Sequence, residues 1–167
     1  MTGDYFEDAV LSAMLAWPGA KVQHFFFEGK PIPLSRQISK AVGGPFGKKV
    51  ISFSPKKNVH AKAAIYSACL SMAPVRFQPP YHIAIKFICE PLKTVAEDMP
   101  VGASHGDLDN LEKLILDALF NEAVENKHPV VVYKDDRHIV SCLKFKRLPA
   151  AGEKPGIHFW MVKPCSQ

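Results

Sequence analysis

Between Glu28 and Glu90 the chain contains no acidic residue at all. Cations continue through the same stretch, including Lys48, Lys49, Lys56, Lys57 and Lys62, so a formal net charge of +5 conceals a long block of one sign. Surfaces that only keep a protein in solution intersperse both signs. A one-sign cationic block points to phosphate, which makes these five lysines the candidate nucleic-acid contacts. The bland alternative is a solvated face that happens to be basic.

Other absences narrow the field. The four cysteines, Cys69, Cys89, Cys142 and Cys165, are far apart and form no C-x-x-C pair, which argues against a disulfide framework and a zinc site. Cys69 sits in a helical pattern and Cys89 and Cys142 in strand patterns, where cysteine behaves as a small apolar residue, and the cysteine usage points to a reducing compartment. The seven histidines form neither H-x-x-x-H nor H-E-x-x-H, against a histidine metal site. No G-K-[ST] follows the glycines at 43, 44 and 47, against a phosphate loop. No apolar run reaches the roughly eighteen residues of a membrane span. The beginning, MTGDYFEDAVLSAMLAW, has acids where a secretory signal needs a basic leader. The expected location is intracellular, cytoplasmic or nucleoid-associated. Repeats and coiled-coil heptads are missing too, and 167 residues suit one domain with its own core.

What is present reads as alternating helices and strands. Residues 5–16 carry apolar side chains at helical spacing, stopped by Trp17-Pro18-Gly19. Val22 to Glu28 reads as a strand, and Leu34 to Lys49 as a flexible basic loop before a short strand at Val50 to Phe53. A helix follows from about Asn58 to Met72, with Ala61, Ala64, Ile65, Ala68 and Cys69 on one side. Tyr81 to Cys89 alternates as a half-buried strand, and Glu90 to Gly106 reads as a loop. The helix at 109–121 buries Leu111, Leu114, Ile115, Ala118 and Leu119 and turns Asp109, Lys113 and Asp117 onto another stripe. Ile139 to Arg147 alternates with Ile139, Leu143 and Phe145 inward, and Ile157 to Lys163 returns as its antiparallel partner. The fold class is therefore α/β (α+β): one domain with a small mixed or antiparallel sheet flanked by helices.

The chemistry concentrates in the acids that follow the basic block. Asp107 and Asp109 stand at a helix start, Asp135 and Asp136 at a strand start, and Lys113 lies one helical turn beyond Asp109. Carboxylates gathered by two adjacent elements suit a hard divalent cation such as Mg²⁺, which takes oxygen ligands. The structural alternative is a capping box, Asp109 with Glu112, beside two turn-forming aspartates. Asp117 is expected either as a partner of Lys113 or as a plain surface ion-pair residue.

The order D-L-D-N-L-x-K, then D-A-L, then D-D-x-x-I-V resembles the RusA family of Holliday-junction resolvases from phages and prophages. Upstream, FFFEGKPIPLSRQ is similar to the family's first strand with its G-x-P-x-P turn, and FSPKKNVHAKAAIYSA to its segment leading into a helix. The resemblance runs from about Phe25 to Lys146. It implies a RusA-like endonuclease domain at 21–167 preceded by a helical extension at 1–20. It also implies metal-binding carboxylates at Asp107, Asp109 and Asp136, a catalytic Lys113, and Mg²⁺, with Mn²⁺ fitting the same oxygens. The activity implied is paired nicking of a four-way DNA junction in recombination and repair by a homodimer, since two opposed strands need two centres related by a two-fold axis. One departure is an insertion, Asn121 to Val131, where the family joins helix and acidic doublet by a short loop. Two other readings compete: a non-catalytic branched-DNA-binding protein, and a metal nuclease for flaps or RNA.

Overall fold

The computed structural model describes residues 4–35, 38–44, 47–72, 80–91, 106–121 and 136–163. In chain order the elements are α1 (Asp4–Leu15), β1 (Lys21–Glu28), β2 (Ile38–Gly44), β3 (Gly47–Phe53), α2 (Lys56–Ser71), β4 (Tyr81–Ile88), α3 (Leu108–Leu116), β5 (Ile139–Arg147) and β6 (Gly156–Lys163). A π-helical turn, Asp117–Asn121, extends α3, and a 3₁₀ turn, Asp136–His138, leads into β5.

Four strands form one sheet in the order β1-β6-β4-β5. β6 runs antiparallel to both β1 and β4, while β5 runs parallel to β4. Parallel neighbours need a crossover, and α3 supplies it. The expected fold class holds: a mixed sheet flanked by helices.

Alternation along the strands decides which helix covers which face. Phe25, Phe27, Tyr81, Ile83, Ile85, Phe87 and Phe159 point to one face, where they pack with Ile65 and Cys69 of α2 and with Leu111, Leu114 and Ile115 of α3. Ala118 and Leu119 of the π turn complete that core. The opposite face is covered by α1, whose Leu11 and Met14 close over Ala84 and Val162. Beside them His24 Nε2 and His158 Nδ1 lie 3.0 Å apart, stacked on Trp160.

Four expectations need correction. The segment expected to be a loop from Leu34 to Lys49 contributes β2 and the first residues of β3, which pair antiparallel with Gly44 opposite Gly47. Glycines flanking the connection mark a hairpin rather than a flexible loop. Secondly, β4 is not half-buried: Ala84 and Ile88 are as inaccessible as Ile83 and Ile85, and α1 packs over Ala84 on the second face. Thirdly, β6 pairs with β1 and β4, not with β5. Burial on both faces puts the apolar β4 in the interior of the sheet and leaves β5 at the edge. Lastly, the phase of β5 is not uniform. Tyr81 pairs with Ile139 and His82 with Ser141, so the register skips the exposed Val140. After that skip Cys142, Lys144 and Lys146 face α3, whereas Leu143 packs towards α1.

Candidate active site at the start of the third helix

Gly106 adopts φ +68, and a Cβ built there would lie 2.3 Å from Pro33 Cβ. Only glycine tolerates both the left-handed backbone and that contact. The next residue, Asp107, is the extended N-cap of α3 (φ −81, ψ 150), and its carbonyl accepts Leu111 N at 3.0 Å. Its carboxylate makes no capping hydrogen bond and is exposed. The expected capping box of Asp109 and Glu112 is therefore not formed, because the helix begins two residues earlier.

Glu112 reaches across to β5 instead. Its Oε1 accepts the Cys142 thiol at 3.1 Å, and its Oε2 lies 2.6 Å from Lys144 Nζ. The same ammonium donates to Asp109 Oδ1 at 2.6 Å, although the Asp109 side chain is 87% exposed. Bonds to Asp109 and then Glu112 hold the Lys144 pKa well above the ordinary lysine value. Burial, then the bond to Glu112, pushes the Cys142 thiol up to about 12. Two carboxylate oxygens thus converge on one cation at the start of α3, which is the donor chemistry a divalent ion requires.

The surrounding loop joins this acidic end to the basic one. Leu34 N donates to Asn110 O at 3.0 Å, and Pro33 packs on Gly106. One residue on, Ser35 is gripped from α2: its N–H donates to Asn58 Oδ1 at 3.2 Å and its carbonyl accepts Asn58 Nδ2 at 3.0 Å. Asn58 is 1% exposed and lies in the first turn of α2, directly after Lys56 and Lys57. Both lysines are exposed in a turn that has no acidic residue, where the helix dipole disfavours cations. Helix stability does not account for that placement.

The other expected residues divide. Lys113 is exposed on the stripe that runs along α3 from Asp109. Lys62 pairs with Asp117 at 2.9 Å and its side chain is 14% exposed. Lys48 and Lys49 stand on β3 opposite Gly43 and Val42. Their side chains, and that of Asp136, are outside the described residues, as is Asp135 altogether. The backbone of Asp136 opens the 3₁₀ turn before β5, while Lys144, which holds Asp109, lies five residues into that strand. At the usual strand rise roughly 16 Å of β5 separate Lys144 from the first strand residue, Ile139, which follows that turn. Because α3 runs antiparallel to β5, with Gly106 beside Lys146 and Glu112 beside Cys142, the Asp107, Asp109, Lys113 stripe descends towards the end that carries Asp136. Among the described residues no group of three or more His, Cys, Asp and Glu is placed to hold a metal ion.

Sequence reasoning picked out neither Gly106 nor Asn58, gave Glu112 only the role of a capping-box partner, and did not link Lys144 to Asp109. A glycine immediately before an N-cap aspartate was a visible signal. The Lys144 contact, 35 residues from Asp109, had none. Lys146 and Arg147 are likewise engaged, Lys146 with Gly106 O at 2.8 Å and Arg147 with Glu153.

A family profile described as endodeoxyribonuclease RusA matches residues 28–159. That span contains both acidic segments and the whole acid-free block. No curated protein matches the chain.

Proposed function

The chain belongs to the RusA endodeoxyribonuclease family, and from that premise we propose that it is a Mg²⁺-dependent, homodimeric, structure-selective nuclease that resolves four-way DNA junctions by paired nicks. The observation that carries the reading is the exposed Asp107 carboxylate at the N-cap of α3, which makes no capping bond and stands beside the equally exposed Asp109. Acids that merely started a helix would be expected to cap it.

Asp107 and Asp109 are proposed as oxygen donors to the divalent ion, with Asp136 as the third carboxylate approaching from the start of β5. A bound divalent ion supplies charge neutralisation at phosphoryl oxygens and lowers the pKa of a ligated water. Lys113, between the two ends of the acidic stripe, binds the scissile phosphate or orients the attacking water. Lys56 and Lys57, with Lys48 and Lys49 of the hairpin, hold the phosphates of the junction arms. Lys62 supports them from its pair with Asp117. Recognition of a branched substrate by such contacts depends on phosphate position rather than on base edges. A two-fold dimer supplies the second centre needed for the opposite strand.

The test is nicking of synthetic four-way junction, flap and linear duplex DNA with and without Mg²⁺. Metal-dependent paired nicks in the junction are expected. Binding without cleavage would favour a non-catalytic junction binder, and preference for the flap would redirect the substrate assignment.

A further inference from the structure

Asp109 and Glu112 lie three residues apart on α3, where like charges repel, and Glu112 is only 17% exposed. Neither acid is left to itself: the Lys144 ammonium sits 2.6 Å from an oxygen of each. Both contacts are short charge-assisted hydrogen bonds, so one positive charge draws an oxygen of each carboxylate to itself. The ammonium thus supplies these two carboxylates with the positive charge that a bound divalent ion would otherwise supply.

We propose that Lys144 is a built-in counter-cation of the acidic site, which holds Asp109 and Glu112 together in the metal-free protein and is displaced when a divalent ion binds between them. The inference rests on the metal-dependent reading above. Two cations cannot share the space between these oxygens. Lysine is suited to exchange, because its ammonium is a compact charge on a flexible stem and makes no planar two-point clamp. The Lys144 side chain is 31% exposed, so it has a path to solvent. Glu112, which the sequence marked only as a capping-box partner, becomes a ligand to the ion. Lys144 acts through these carboxylates and is a positioning residue rather than a catalytic one.

Titration calorimetry of Mn²⁺ into the full chain tests this, using the wild type, Lys144→Met, Glu112→Gln and Lys154→Met. The last changes net charge equally at an exposed pair with Glu28. Lys144→Met is expected to bind Mn²⁺ about tenfold tighter or more, the scale of losing a competing charge-assisted contact. Glu112→Gln should bind it weaker, and Lys154→Met within about twofold of wild type by the same scale. Without metal Lys144→Met should melt below wild type, because Glu112 loses its cation, and saturating Mn²⁺ should raise its melting temperature by more than it raises that of wild type. If the methionine variant does not fold, Lys144→Gln, which keeps a neutral donor, replaces it with the same expectation. Equal or weaker Mn²⁺ binding by the Lys144 variant, with wild type still binding Mn²⁺ and nicking junctions, would overturn the exchange and leave the nuclease assignment standing. Absence of Mn²⁺ binding in every protein would overturn both.

Discussion

Replacing Asn58 by leucine should cost far more than its position on a helix suggests. Asn58 shares the branched outline of the somewhat larger leucine and is 1% exposed, but both of its polar ends are used on Ser35, at 3.2 and 3.0 Å. Leucine fills the space and abolishes both bonds, leaving the Ser35 N–H and C=O without their partner. Each net hydrogen bond is worth about 1 kcal/mol and each buried polar group left unsatisfied costs about 1–3 kcal/mol, so a loss of about 2–4 kcal/mol is expected. For a chain of this size that lowers the melting temperature by roughly 5–15 °C. Urea unfolding should show a lower midpoint with an unchanged slope. The function should respond as well, because Asn58 holds Lys56 and Lys57 against the loop whose Pro33 packs on Gly106. At a temperature where both proteins are folded, junction affinity and cleavage should both fall. A loss below about 0.5 kcal/mol, the range of ordinary surface changes, would refute the view that this asparagine clamps the two halves of the site.

Three further expectations follow from other parts of the molecule. Gly106→Ala forces a Cβ against Pro33 in a left-handed backbone, so it should destabilise by about 1–3 kcal/mol and reduce cleavage by misplacing Asp107; an unaltered melting temperature would contradict the geometry. Burial, then His24, pushes His158 down to about 4 from 6.5, so the unfolded chain takes up this proton first on acidification. Stability from this group is complete above about 6.5 and is lost as pH falls towards 4; the urea midpoint should drop over that window, and a His158→Phe variant with the same pH slope would refute the assignment. Neutralising Lys48, Lys49, Lys56 and Lys57 together should flatten the dependence of junction affinity on salt, because each phosphate contact releases condensed counterions. An unchanged salt slope would place the DNA elsewhere.

Sequence pattern located what local periodicity and chemistry determine. The spacing of Leu111, Leu114, Ile115, Ala118 and Leu119 identified the buried face of α3, and all five are inaccessible. The alternation of Tyr81, Ile83, Ile85 and Phe87 identified β4. It could not reveal that α1 would cover Ala84, since that depends on a contact remote in sequence. Nor could alternation in Ile139 to Arg147 survive the skip at Val140, which reverses the phase of the strand partway along. The β2–β3 hairpin escaped for a related reason: its glycines and lysines give little hydrophobic alternation, and pairing rather than propensity forms it. At the site, Asp107 and Asp109 were legible because a helix start is a local event. Their environment was not, because Lys144 and Glu112 meet only after β5 has docked beneath α3.

The central claim is that the acids at the start of α3 cut DNA and do not merely begin a helix. The most direct measurement compares single-turnover cleavage with binding of a four-way junction by the wild type and by Asp107→Asn, Asp109→Asn, Asp136→Asn and Lys113→Ala. The account predicts cleavage lost by about a thousandfold or more in the aspartate variants, with junction binding intact or tighter because negative charge near phosphate is removed. It also predicts that Lys113→Ala loses cleavage while its melting temperature stays close to that of wild type. Wild-type nicking rates in Asp107→Asn and Asp109→Asn would contradict it.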